Sequence, residues 1–286
     1  MSDLPFRWNL ARREQLGSLV AGEPAKLRRG FVDELRECCA RVIAMAGDSG
    51  LVFVGRSPEN LFDYLSGAFA GTGWEDRCVL LNVSMRDQSA EEIEREGPEA
   101  LRAIHRQLRA LRLSPAEIAS GERPTAFVDF LFRGQTFGHL VGLLEHWAAR
   151  EGVDFAAVRR RLRLVAITER TKNSPNTWRW YQRLPWAAAF PRSALRSVSV
   201  PYRFWTTLAD DQKKVARTHP PRAWGAEDAV TPPRDPEHVE ALRFALALHE
   251  RGRERAERER LAAALAARPE MRHAWLRRLV LELRRG

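Results

Sequence analysis

Cysteine is scarce in this 286-residue chain, with three in all, and their placement excludes more than their number does. Cys38 and Cys39 are adjacent and Cys78 stands alone in an apolar segment, which fits neither a disulfide framework nor the paired spacing of a zinc site. They read as buried, reduced thiols. The seven histidines form no metal-ligand spacing either, so no protein metal cage is expected. Also missing is any apolar run near the roughly 20 residues that span a bilayer. The opening MSDLPFRWNLARRE lacks the apolar stretch and small-residue cleavage site of a secretory signal. The expectation is a cytoplasmic protein with no membrane partner. There is no internal repeat, and only the Arg/Glu run at 250–260 approaches low complexity.

Positive charge is what the chain has in excess. Lys and Arg number 47 against 37 Asp and Glu, a net +10, which attracts polyanions or phosphorylated small molecules without choosing between them. Arginine dominates over lysine, which suits bidentate phosphate contacts, and a GC-biased genome gives the same preference. The length allows a full hydrophobic core, read as one principal α/β unit with an appendage.

Residues 24–46 carry Leu27, Phe31, Leu35, Cys38, Cys39, Val42 and Ile43 at helical spacing. The short apolar run Leu51–Val54 follows, ends in Gly55, and meets Ser57-Pro58-Glu59, where serine caps and proline opens a helix. A second run, Cys78–Val83, precedes a charged helical pattern over 89–112. The third, Thr125–Leu131, turns at Gly134 into a helix reaching about Arg150, and Arg163–Ile167 supplies a fourth strand. Continuous apolar strands alternating with helices point to a parallel sheet covered on both faces, with ligand sites at the strands' carboxyl ends. Beyond residue 170 the texture changes to Pro, Trp, Arg and turn signals, with Ser197–Trp205 read as one further strand. From Pro236 strong helix formers return, and a last helix places Met271, Trp275, Leu279 and Leu283 on one face, read as a cap. The organisation is therefore an extension over 1–23, a core over 24–170, an irregular Trp/Pro-rich segment over 171–235 and C-terminal helices over 236–286.

Residues 125–137, TAFVDFLFRGQTF, are a buried strand ending near an acid and turning through Gly134, Gln135 and Thr136 into a helix. Such a turn offers backbone N–H groups and the positive helix end to a phosphate, with the Thr136 hydroxyl as a further donor. Asp129 precedes that cradle by the spacing that lets it accept from the hydroxyls of a pentose whose 5′-phosphate sits in the loop. The plain alternative is a buried strand and turn, with Asp129 capping backbone amides and Gly134 permitting tight packing.

This segment resembles the type I phosphoribosyltransferase family, whose signature is an apolar strand, two adjacent acids, then Thr-Gly-x-Thr and an apolar residue. On that pattern Val128 stands at the first acidic position, Asp129 at the second, Arg133 at the threonine before glycine, Gly134 at the glycine and Thr136 at the final threonine. The order of elements is similar too. Gly55-Arg56-Ser57 takes the place of the family's pyrophosphate loop, and 84–121 that of its mobile loop, with Arg86 its one candidate. The resemblance covers about residues 24–170. It implies binding of a phosphorylated ribose or nucleotide through Asp129, Arg133, Gly134, Gln135 and Thr136, with Asp129 as the catalytic candidate. It also implies Mg2+ carried by substrate phosphates, and a hood aromatic stacked on the base, for which Trp178, Trp180 and Tyr181 are the candidates.

Plainer readings stand beside these. Ser57-Pro58 is also a common helix start, Glu59 and Asp63 read as helix surface, and large aromatics more often staple irregular segments onto a core than stack on bases. His139 and His146 read as partly buried neutral side chains. Three functions follow: transfer of a phosphoribosyl group to or from a base, noncatalytic sensing of a ribose phosphate, or association with nucleic acid through the basic, Trp/Arg-rich surface. Self-association into a homodimer is left open.

Overall fold

The five apolar segments meet in one sheet. The computed structural model describes residues 25–81, 83, 85, 89–131, 134–170, 179–209 and 236–285. Its strands are β1 (Gly50–Val54), β2 (Cys78–Leu81), β3 (Thr125–Phe130), β4 (Leu162–Glu169) and β5 (Leu195–Val200), all parallel in the order β2-β1-β3-β4-β5. Side chains alternate across the sheet as the pleat requires. Leu51, Phe53, Ala126, Val128, Val165 and Ile167 enter one core cluster, while Val52, Val54, Phe127, Leu164 and Ala166 enter the other. Burial on both faces is why these strands read as unbroken apolar runs.

The first face is covered by α1 (Arg29–Ala46), α2 (Glu59–Ala68), α8 (Tyr202–Ala209), α9 (Pro236–Arg253), α10 (Arg255–Ala266) and α11 (Ala274–Arg285). Against the second lie α3 (Ala90–Arg95), α4 (Pro98–Ala110), α5 (Pro115–Ser120), α6 (Gln135–Glu151) and α7 (Phe155–Arg161). Capping boxes at Ser89/Glu92 and Ser114/Glu117 start α3 and α5. The single helical pattern expected over 89–112 divides at Gly97-Pro98. Gly97 takes φ +117°, and Pro98 has no N–H to continue the α3 ladder but suits the first position of α4.

Three further expectations change. The fifth strand ends at Val200, because Pro201 cannot donate to the ladder, and Tyr202–Ala209 is helix instead. The chain beyond residue 170 is no appendage to the sheet: it supplies β5, and the C-terminal helices bury Leu248, Leu261, Leu265, Leu276 and Leu279 in the first core cluster. Finally, Glu59 and Asp63 are buried rather than on the helix surface, at 1 and 0% exposure, and Asn60 between them is buried as well. The cause is α9, which crosses α2 so closely that a Cβ on Gly67 would overlap the His249 backbone and one on Gly252 would overlap the Tyr64 carbonyl. A buried polar set on the other side of α2 ties α10 down as well. Glu257, 1% exposed, accepts from Arg36 at 2.5 Å and from the Tyr64 hydroxyl at 2.9 Å.

Candidate functional site

Strand order reverses between β1 and β3, since the chain leaves β1 toward β2 on one side and returns to β3 on the other. Loops at the carboxyl ends of two such strands diverge and leave a crevice, the usual ligand position in an open parallel sheet. Gly55-Arg56-Ser57 follows β1, and Gly134-Gln135-Thr136 opens α6 after β3, so both sequence-identified loops lie at this reversal. Asp129 lies between them. The β1–β3 register pairs Phe53 with Val128, which sets Asp129 just past the last paired position.

Asp129 is 6% exposed. Its side chain accepts from the Phe130 amide at 2.7 Å, and the Thr136 side chain in the first turn of α6 lies close to it. Burial pushes its pKa up to about 8, and the Phe130 amide and the nearby Thr136 hydroxyl only partly oppose that rise, because removing a carboxylate from water costs more than these donors return. Near neutral pH the group is therefore largely a neutral acid in the ligand-free fold.

The two glycines are set by packing as well as by chemistry. Gly55 has φ +72°, donates to the Leu81 carbonyl at 2.8 Å, and leaves 3.1 Å between an added Cβ and the Val83 carbonyl. Gly134 has φ +82°, and a Cβ there would stand 2.5 Å from Leu184 Cδ1. Neither side-chain space is open to a ligand, so any anion contact comes from backbone amides. Those of α6 are suited to it: Gly134 at the cap position brings no side chain to the first-turn N–H groups, which carry the positive end of a 17-residue helix. Gln135 is exposed and Thr136 half-buried at that end.

The β1 loop differs from the expected Ser-Pro start. Pro58, not Ser57, occupies the cap position of α2, and no side chain caps it. Arg56 turns across the crevice and donates to the Ala209 carbonyl at 3.2 Å, at the end of α8. Trp205 on the same helix meets Phe130 edge to face at 6.3 Å, so α8 covers the carboxyl end of β3. Of the hood candidates, Trp180 is 4% exposed, packs on Phe137, Tyr181 and Trp186, and donates its indole N–H to the Arg196 carbonyl. Tyr181 is half-buried beside it and accepts at its hydroxyl from Arg179. Trp178, Arg133 and Arg86 lie outside the described residues.

Sequence reasoning missed α8 and the buried Glu59, Asn60 and Asp63. No periodic signal gave the second away: Leu61, Phe62, Tyr64, Leu65 and Phe69 lie on one apolar arc of α2, and Glu59, Asn60 and Asp63 lie on the opposite, polar arc that an amphipathic helix normally leaves to water.

Elsewhere, His139 Nδ1 faces the Met85 carbonyl at 2.7 Å and His146 Nε2 faces Glu94 at 2.9 Å. All three cysteines are free and buried, with thiol pKa values raised by burial, which leaves them poor nucleophiles. Among the described residues no group of three His, Cys, Asp or Glu is placed to hold a metal ion. No described helix is long and apolar enough to cross a membrane. Comparison of the chain with protein-family models, with curated proteins and with solved structures found no match.

Proposed function

We propose that the chain binds a phosphorylated ribose, free or as part of a nucleotide, in the β1/β3 crevice, in the manner of a phosphoribosyltransferase-like protein. The observation that carries this is the juxtaposition of Asp129 with Thr136 at the strand-order reversal. A 5′-phosphate at the start of α6 meets first-turn amides that the Gly134 cap does not cover, and the Thr136 hydroxyl turns from Asp129 to a phosphate oxygen. The sugar hydroxyls then donate to Asp129. Hydrogen bonds to its charged form lower its pKa, so binding near pH 7 releases a proton. Mg2+ arriving on the phosphates strengthens the same contacts.

Val128 favours binding without group transfer as the second reading. It is fully buried among apolar side chains of the opposite sheet face, so this position supplies no second carboxyl beside Asp129 where the resembled family has two.

Calorimetry with phosphoribosyl pyrophosphate, ribose 5-phosphate and nucleoside monophosphates, with and without Mg2+, tests the proposal. Repeating the titration at pH 7 in buffers of different ionisation enthalpy reads the proton. Binding that is lost in Asp129→Ala and accompanied by proton release supports it; no heat from any phosphorylated sugar rejects it. Product formation from bound phosphoribosyl pyrophosphate separates transfer from sensing.

A further inference from the structure

The positive charge is not spread evenly over the molecule. Residues 179–209, which form the chain on and around β5, contain five arginines and no Asp or Glu. β5 is an edge strand, paired only with β4 among the described residues. At its amino end Arg196 and Arg163 project from neighbouring strands on one sheet face, because Arg196 pairs with Val165, two residues on from Arg163. Among the described residues Arg163 donates to the backbone carbonyls of Arg160 and Leu162, and Arg196 Nε is buried with no hydrogen-bond partner. Burial first, then the like charges of Arg196 and Arg161, hold the Arg163 guanidinium below its usual pKa. Toward the carboxyl end, Arg41 and Arg170 both donate to the Ser199 carbonyl, at 2.6 and 3.4 Å.

Beyond that end the Arg170 amide donates to the Val200 carbonyl, and the chain continues into Tyr202 and Arg203. Tyr202 is 61% exposed, one of the two large hydrophobic side chains that stand in solvent among the described residues. One charge is enough to guard an edge strand against pairing with another chain. Arg41, Arg163, Arg170 and Arg196 outnumber the carboxylates beside them, Glu169 opposite Val200 and Glu37 near Arg41, and with an exposed aromatic ring at the end of the row they go beyond that need.

We infer that this edge is a binding surface for single-stranded nucleic acid, with phosphates on the arginines along β5 and a base stacked on Tyr202. Six residues of strand extend about 20 Å, enough to follow several phosphates. An aromatic platform serves an unstacked base, which a duplex withholds, and stacking tolerates any base because every base has a π face. This surface is separate from the crevice residues Asp129 and Thr136, so either reading stands without the other.

The test is fluorescence anisotropy of a labelled oligothymidylate of about 20 nucleotides, titrated with the full chain. Saturable binding is expected, weakening roughly twentyfold between about 50 and 200 mM salt if about three phosphates are neutralised. Tyr202→Ala should weaken it at least about fivefold, and Tyr202→Phe should retain it, since the ring alone stacks. Arg170→Gln, Arg192→Gln and Arg203→Gln together should remove most of the affinity and flatten the salt dependence. All are exposed, and an unchanged melting temperature confirms the fold. Arg278→Gln, Arg284→Gln and Arg285→Gln remove equal charge from the exposed face of α11 and should leave the affinity unchanged. The inference is overturned by no binding at about 50 mM salt, by equal loss from the α11 triple, by an unaffected Tyr202→Ala, or by equally tight binding of duplex or polyglutamate.

Discussion

The Thr136 side chain lies close to the Asp129 carboxyl across the turn that joins β3 to α6 and favours its charged form, against the burial that disfavours it. Strand end and helix start are thus coupled through these two side chains.

Asp129 should leave a signature in stability against pH. Its folded pKa, about 8, lies above the ordinary value near 4. Folding therefore takes up a proton between those values, and the group's stabilising contribution, fully present below about 4, is lost as pH rises through about 8. Asp129→Asn keeps the acceptor for the Phe130 amide but cannot ionise. The melting temperature of the natural chain should fall relative to that variant between about pH 5 and 8.5. A constant difference across that window would mean the carboxyl is already ionised in the fold.

Gly134→Ala should destabilise by about 2 kcal/mol or more, from positive φ and from the clash with Leu184. Removing the obstacle separates the two causes. In Gly134→Ala with Leu184→Ala the overlap is gone and the backbone strain remains, so a double-mutant cycle should show favourable coupling of about 1 kcal/mol. Additive losses would place the whole cost in the backbone.

What was legible in the sequence follows from how local each cause is. Runs such as Leu51–Val54 and Thr125–Phe130 announce buried parallel strands because their own residues must be apolar on both faces. Gly134 marks its turn because only its own φ is at stake. The burial of Asp63, by contrast, depends on α9, nearly two hundred residues on, and the closeness of that crossing depends on the absence of a side chain at Gly67 and Gly252. An absent side chain leaves no periodic signal. Likewise the run Ser197–Trp205 looks like one strand until Pro201 is set against the ladder it would interrupt, and the placing of α8 against the end of β3 follows from that break. Asp129 and Thr136 were legible as a pair by spacing, whereas the covering of Gly134 by Leu184 arises from a segment with no periodicity of its own.

The α2–α9 crossing gives a third prediction. Gly67→Ala sets a methyl against the His249 backbone, where nothing flexible can yield, so the helices must separate and Leu248 and Tyr64 lose packing. The expected cost is about 3 kcal/mol or more in denaturant unfolding, well above the slight gain alanine brings to an exposed helix. Gly30→Ala in α1, which has nothing within 4 Å, is the control and should be neutral to stabilising. Equal effects at the two glycines would mean α9 sits away from α2 in solution.

The Arg36–Glu257 pair should behave as a buried ion pair rather than a surface one. Glu257 is 1% exposed at its side chain and Arg36 13%, with two hydrogen bonds between them and a third from Tyr64. Glu257→Ala takes the buried partner from Arg36, which keeps the exposed Asp33 carboxylate at 2.8 Å, and leaves the Tyr64 hydroxyl without its acceptor, for an expected loss of about 2–4 kcal/mol. Arg36→Met with Glu257→Leu removes both charges and keeps most of the volume, so it should recover the larger part of that loss even though the tyrosine remains unsatisfied. Adding Tyr64→Phe should recover more. Urea unfolding of the series distinguishes this from a solvated pair, for which Glu257→Ala would cost under about 1 kcal/mol and high salt would erase the difference.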